Sequence, residues 1–174
     1  MIITGNYKTL RDSSYNRDKA VGYAHEWAFK RNPKYFNFDS IGGDCTNFAS
    51  QAILEGSRIM NYTPLYGWYY INGYNKTPSW TGVNFLFKFL VNSKGAGPFA
   101  EIVNIKDAEP GDIIQLSFDE GNIFSHSLIV VKAGSPANTD NILISTHTFD
   151  RNNYPLSSYS WVDLRVIHIT GVRK

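Results

Sequence analysis

In the first half of the chain, apolar positions recur at intervals of three and four; in the second half the period changes. Between Arg17 and Arg31, Ala20, Tyr23, Ala24, Trp27 and Ala28 follow helical spacing. Asn16 suits the N-cap and Pro33 closes the segment. A second stripe, Cys45, Phe48, Ala49, Ala52 and Ile53, follows Gly42-Gly43-Asp44, with Gly56 as its stop. A third, Val83, Leu86, Phe87, Leu90 and Val91, follows Thr81-Gly82 and ends before Gly95. Beyond Gly97-Pro98 the helical period is lost. The turn-forming run Ala108–Asp112 leads into Ile113–Ser117, which suits a strand. His126–Val131 is β-branched and apolar on both faces, as a central strand would be. Ile142–Thr148 and Val166–Thr170 are further strand candidates. Helices first and an antiparallel sheet second predict an α+β fold.

A length of 174 residues predicts one domain, and 43% hydrophobic content supplies a core and excludes disorder as the main state. A net charge of +2 gives no case for nucleic acid or an anionic membrane as partner. The most apolar runs, Leu128–Val131 and Ile142–Ile144, fall far short of the ~18 residues of a spanning helix. Met1–Leu10 carries Thr4, Asn6 and Lys8 and lacks the apolar core of a signal peptide. Aromatic residues are abundant at 15%, and Tyr62, Tyr66, Trp68, Tyr69, Tyr70, Tyr74 and Trp80 fall in one short segment. That segment reads either as a subdomain packed on the second helix or as the wall of a substrate cleft.

The single cysteine, Cys45, can form no internal disulfide. Alone it reads as a small buried hydrophobe, and it shares its stripe with Phe48 and Ala49. Its position argues differently. Asp44 can cap the helix, placing Cys45 in the first turn, where free N–H groups stabilise a thiolate and could hold an oxyanion. The Asp44 charge opposes that thiolate. A nucleophilic thiol also needs a base. His25 reads as a surface residue and His168 as structural within the last strand. His126 opens an apolar strand after the loop Asp119-Glu120-Gly121-Asn122, and His147 closes the next strand candidate. If those strands are antiparallel neighbours, the two histidines come close. Cys45, His126 and His147 are also acceptable zinc ligands by type, but no C-x-x-C or H-E-x-x-H spacing accompanies them.

At these residues a family resemblance emerges. Gly43-Asp44-Cys45-Thr46-Asn47-Phe48-Ala49-Ser50-Gln51 resembles the signature of the putative amidase domain family, itself similar to papain-like, NlpC/P60-related and CHAP-related cysteine hydrolases. Tyr15–Ala20 with Tyr23-Ala24, Trp68-Tyr69-Tyr70 with Trp80, Gly111–Gln115 followed by His126-Ser127, and Ser145–Thr148 with Asp150, Asn153 and Pro155-Leu156 resemble further family segments in order. Coverage runs from about Tyr15 to the C-terminus, within a single domain over 1–174 that has 1–14 as an N-terminal extension.

The resemblance implies a papain-like, NlpC/P60-like arrangement, with N-terminal helices packed on a C-terminal sheet. It implies Cys45 as nucleophile, His126 as base and His147 as the third polar residue, with Asp150 the rival for that place. The oxyanion side chain stays unassigned, Asn37 and Asp39 being the nearest polar candidates. Asp44, Trp68, Trp80 and Ser125 are the candidate substrate contacts. The expected substrate is a peptide amide, above all bacterial cell-wall peptide, cleaved by a monomer without metal or cofactor. Such domains are commonly exported, so a secreted or cell-surface bacterial protein is expected. On this reading alkylation of Cys45 should titrate well below the ~8.5 of a free thiol. The same residues would serve an acyltransferase. A non-catalytic module gripping glycan or peptide, with a structural Cys45, is the alternative from another class.

Overall fold

Asn16 starts helix α1 (Arg17–Trp27), its side chain accepting the Lys19 N–H at 2.9 Å. The buried face of α1 is Ala20, Tyr23 and Ala24, the stripe read from the sequence. This computed structural model describes residues 9–121 and 123–174. Helix α2 (Cys45–Ser57) is the centre of the molecule, with only Leu54 and Glu55 outside its buried set. It runs one residue past Gly56 and ends on Arg58 in the left-handed conformation at φ 61°. Gly56 is needed for contact instead. A Cβ there would overlap the Tyr15 ring and lie 2.8 Å from the Asn16 carbonyl oxygen, so α1 and α2 approach closely at that point. Helices α3 (Pro78–Thr81) and α4 (Val83–Asn92) follow the aromatic segment.

The strands are β1 (Asp12–Ser13), β2 (Gly97–Val103), β3 (Ile113–Ser117), β4 (Phe124–Lys132), β5 (Leu143–Thr146), β6 (Arg151–Pro155) and β7 (Asp163–Arg173). They form one sheet in the order β1-β7-β3-β4-β5-β6, with β2 on the other edge of β7, and every pairing is antiparallel. This is the expected mixture of helices and antiparallel sheet. Sequence periodicity missed β2 and β6. Strand β2 opens on Gly97-Pro98, tolerable because its one partner is β7, and β6 is Arg-Asn-Asn-Tyr-Pro, with no apolar alternation. The candidate Ile142–Thr148 is shorter in the structure, because Thr148 and Phe149 take φ of 64° and 63° and turn the chain. Of the expected extension over 1–14, residues 1–8 lie outside the described residues, and Asp12–Ser13 join the sheet.

Both faces of the central strands are buried. Ile113, Ile129, Val131, Ile167 and Ile169 face the helices. Ile114, Leu116, Leu128, Val130 and Val166 face a second cluster closed by Ile142, Leu156 and neighbouring loops. No described helix is long and apolar enough to cross a membrane.

Candidate active site

Two glycines with positive φ, Gly42 at 86° and Gly43 at 97°, bring the chain to the start of α2. Asp44 occupies the N-cap position, yet its side chain does not cap the helix. It serves the preceding loop and the turn after β5 instead. Oδ1 accepts the Phe38 N–H at 2.9 Å and the Asn47 amide at 2.8 Å, while Oδ2 lies 2.6 Å from His147 Nδ1. The Asp44 N–H donates to Thr148 Oγ1 at 2.9 Å. The first turn of α2 therefore starts without a side-chain acceptor.

Cys45 is the first residue of α2 and is 7% exposed. Its sulfur lies 3.8 Å from Thr46 Oγ1 and also meets the N–H groups of Thr46 and Ser127. The Ser127 N–H is free to do so because β5 ends at Thr146, its Ser145 pairing with Ile129 further along β4. Thr46 Oγ1 and Ser127 Oγ, 3.0 Å apart, fasten α2 to β4 beside the thiol. Burial pushes the thiol pKa up, the hydrogen bonds from Ser127 and Thr46 pull the other way, and the Asp44 charge adds to the rise. The helix-start position was legible; the raised pKa reverses the expected low one.

His126 is 8% exposed near the start of β4. Alternation along the strand turns Ser127 toward α2 and His126 toward the opposite face. There its ring packs near Phe118, with centroids 6.3 Å apart, and Tyr159, at 5.9 Å. Burial alone lowers its pKa to about 4, so the imidazole is neutral at pH 7. Among the described residues neither ring nitrogen has a hydrogen-bond partner. The Cys45 sulfur thus meets β4 at Ser127, one residue along from His126, and among the described residues no hydrogen bond joins the thiol to the imidazole. Tyr159 touches both environments: its ring packs on His126, and burial first, then Tyr154 and Cys45, push its phenol up to about 12 against the pull of Arg151. Tyr159 was not singled out in the sequence. Nothing in its Ser-Ser-Tyr-Ser setting marks it, and only the fold folds it back over β4.

His147 makes no hydrogen bond to His126. It is 1% exposed, stacked on Phe48 at 3.9 Å, with Nδ1 on Asp44 and Nε2 2.8 Å from the Trp27 carbonyl oxygen. A carbonyl only accepts, so Nε2 carries a proton, and one more proton is shared between Nδ1 and the Asp44 carboxylate. Whichever atom holds it, the pair is net neutral. Asp150, the rival orienting residue, pairs with Arg31 at 2.8 Å; the same guanidinium also holds Asp39. Strand β5 is the antiparallel neighbour of β4, as expected, but it ends at Thr146, and Asp44 and Trp27 engage both His147 nitrogens, leaving neither to orient His126.

The other expected contacts separate. Ser125 is exposed next to His126, and Asp44 is 1% exposed. Trp68 and Trp80 are both fully buried, and they belong to the core and not to a cleft wall. Trp68 Nε1 donates to Ser50 Oγ at 3.0 Å and Trp80 Nε1 to Asn47 Oδ1 at 2.8 Å. The indoles satisfy polar groups of α2 that would otherwise be stranded in the core. Tyr62, Tyr66 and Tyr74 are the aromatics of that segment that reach solvent. Among the described residues no three His, Cys, Asp or Glu side chains converge as metal ligands would, and both His147 nitrogens are already engaged.

A sequence profile described as a putative amidase domain matches residues 14–170. An uncharacterized protein of Bacillus subtilis (strain 168), YhbB, is 33% identical over 144 residues, covering 80% of this chain and 43% of its own length. The chain thus spans less than half of that relative. No solved structure matches it.

Proposed function

Because the chain belongs to the putative amidase domain family, we propose that it is a hydrolase that cleaves amide bonds through a thioester on Cys45. One observation carries the reading: the thiol at the start of α2 lies against the Ser127 N–H, and the residue before Ser127 is a histidine whose neutral imidazole no hydrogen bond holds in place. His126 removes the thiol proton as sulfur attacks the carbonyl carbon. The N–H groups of Ser127 and Thr46, already directed at the sulfur, stand close to where the oxyanion forms. His126 then gives its proton to the departing amine, and water cleaves the thioester to free acid and thiol. With both groups neutral at rest, His126 acts as a general base and not as half of a standing ion pair. Because its ring rests on the other face of β4, the start of that strand must rearrange to bring it to the sulfur when substrate binds.

His147 has a different part in this scheme. Paired with Asp44, it offsets part of the carboxylate charge that raises the thiol pKa, and it fixes the loop that delivers Cys45. The proposed substrate is bacterial cell-wall peptide, for which exposed Tyr62, Tyr66 and Tyr74 offer flat faces toward backbone and sugar. The protein is incubated with purified peptidoglycan and with a peptide library, and new amine termini are sought by mass spectrometry. Release by wild type and none by Cys45→Ala is expected; equal release by both contradicts the reading. The buried, raised thiol favours one rival, a binding module with a structural cysteine. Binding unchanged by Cys45→Ala, with no turnover by wild type, would select it.

A further inference from the structure

A groove of about 660 Å³ runs along α4, away from Cys45 and His126. Its walls include Leu65, Tyr66 and Phe85, which are 71%, 83% and 57% exposed, with Phe89 buried beneath. Three large apolar side chains left open around one groove are unusual on a protein surface. Lys88 and Lys94 also line it, both exposed, and neither has an acidic partner among the described residues. No Asp or Glu lines the groove. Helix α4, which forms one wall of the groove, is tied to the proposed site. Gln115 Nε2 donates to the Val83 carbonyl at the start of α4 (2.8 Å) and to Ser127 Oγ (3.2 Å), and the Ser127 backbone meets Cys45.

We propose that this groove binds an acidic peptide segment, with apolar side chains against Phe85, Leu65 and Tyr66 and carboxylates on Lys88 and Lys94. Resting on the amide-hydrolase reading, it would hold the part of a peptide substrate distant from the scissile bond. Two cations facing no anion select negative charge, and the apolar floor selects a peptide carrying Leu or Phe over a bare polyanion.

The test uses the Cys45→Ala chain, which cannot turn over, and fluorescence anisotropy with fluorescein-labelled Glu-Leu-Asp-Phe-Glu-Leu. A twin with Gln and Asn in place of Glu and Asp is measured beside it. The acidic peptide should bind about tenfold tighter than the twin at low salt, and the advantage should shrink with added salt. Lys88→Glu with Lys94→Glu should abolish the advantage, and Phe85→Ala should weaken both peptides. Equal binding of the two peptides, or no effect of charge reversal, overturns the proposal. So does concentration-dependent dimerisation abolished by Phe85→Glu, which would give the groove to a second copy. The two readings fail separately. Peptide binding without any wild-type turnover leaves the groove standing, whereas Cys45-dependent cleavage without peptide binding removes the groove alone.

Discussion

At Cys45 and His126 burial acts on two groups of opposite kind, raising the thiol and lowering the imidazole, so each is held uncharged. Alkylation of the native protein by iodoacetamide, followed against pH, should therefore have its midpoint above the ~8.5 of a free thiol. A midpoint of 6 or 7 (~2 units lower) would mean a standing thiolate–imidazolium pair. The histidine carries a second consequence. Its folded pKa of about 4 lies below its unfolded value of ~6.5, so the unfolded chain binds the extra proton between those limits. The neutral ring's contribution is complete above about pH 6.5 and lost as pH falls through about 4, on the order of 3 kcal/mol in all. Urea melts of wild type and His126→Gln between pH 7 and 4 (roughly that window) should diverge by that slope, and parallel pH profiles would contradict the burial of the ring. The helix-start place of Cys45 was legible in Gly42-Gly43-Asp44. The sign of its pKa was not, because it is set by how deeply the fold buries the thiol, which no local pattern shows.

The element that sets the site is the loop into α2, and its anchor is the Asp44–His147 pair. Both residues are 1% exposed, and the pair ties α2, the end of α1 through the Trp27 carbonyl, and the turn after β5. Removing one member of such a pair leaves a buried charge or donor unmatched. His147→Phe keeps an aromatic face for stacking on Phe48 but leaves Asp44 Oδ2 with only Arg31 at 3.7 Å, so it should cost about 1–3 kcal/mol in a denaturant melt. His147→Asn, which retains an amide donor, should cost less. A larger loss in His147→Asn than in His147→Phe would show that the ring's packing on Phe48, not the hydrogen bond to Asp44, matters here. At this scale the sequence yields the helices well, since Ala20–Ala24, Cys45–Ile53 and Leu86–Leu90 each carry a clear stripe. It yields the strands unevenly. Strand β4 announces itself through Leu128–Val131, whereas β6 is held by pairing with β5 and has no pattern of its own. The same gap hid the partners of His147: an apolar run predicts a strand but not that the residue after it pairs with Asp44 and the Trp27 carbonyl.

For the whole molecule, helices on one face of an antiparallel sheet follow from a change of period near Gly97-Pro98, and that much was readable. The aromatic segment was ambiguous for a physical reason. Trp68 and Trp80 look like cleft residues in a polar, glycine-containing stretch, but Ser50 and Asn47 on α2 need their indole donors and draw them into the core. Tyr62, Tyr66 and Tyr74 from the same stretch remain outside, so one composition serves two environments. The whole assembly places one sulfur at the head of the central helix, against a strand that begins beside a histidine. The most direct measurement is the intact mass of the protein, quenched in acid after brief exposure to a peptide 4-nitrophenyl ester. The expected result is one added acyl group, mapped to the fragment containing Cys45 and absent from Cys45→Ala. An unmodified wild-type chain, or an acyl group carried on another residue, would contradict the claim that Cys45 is the nucleophile.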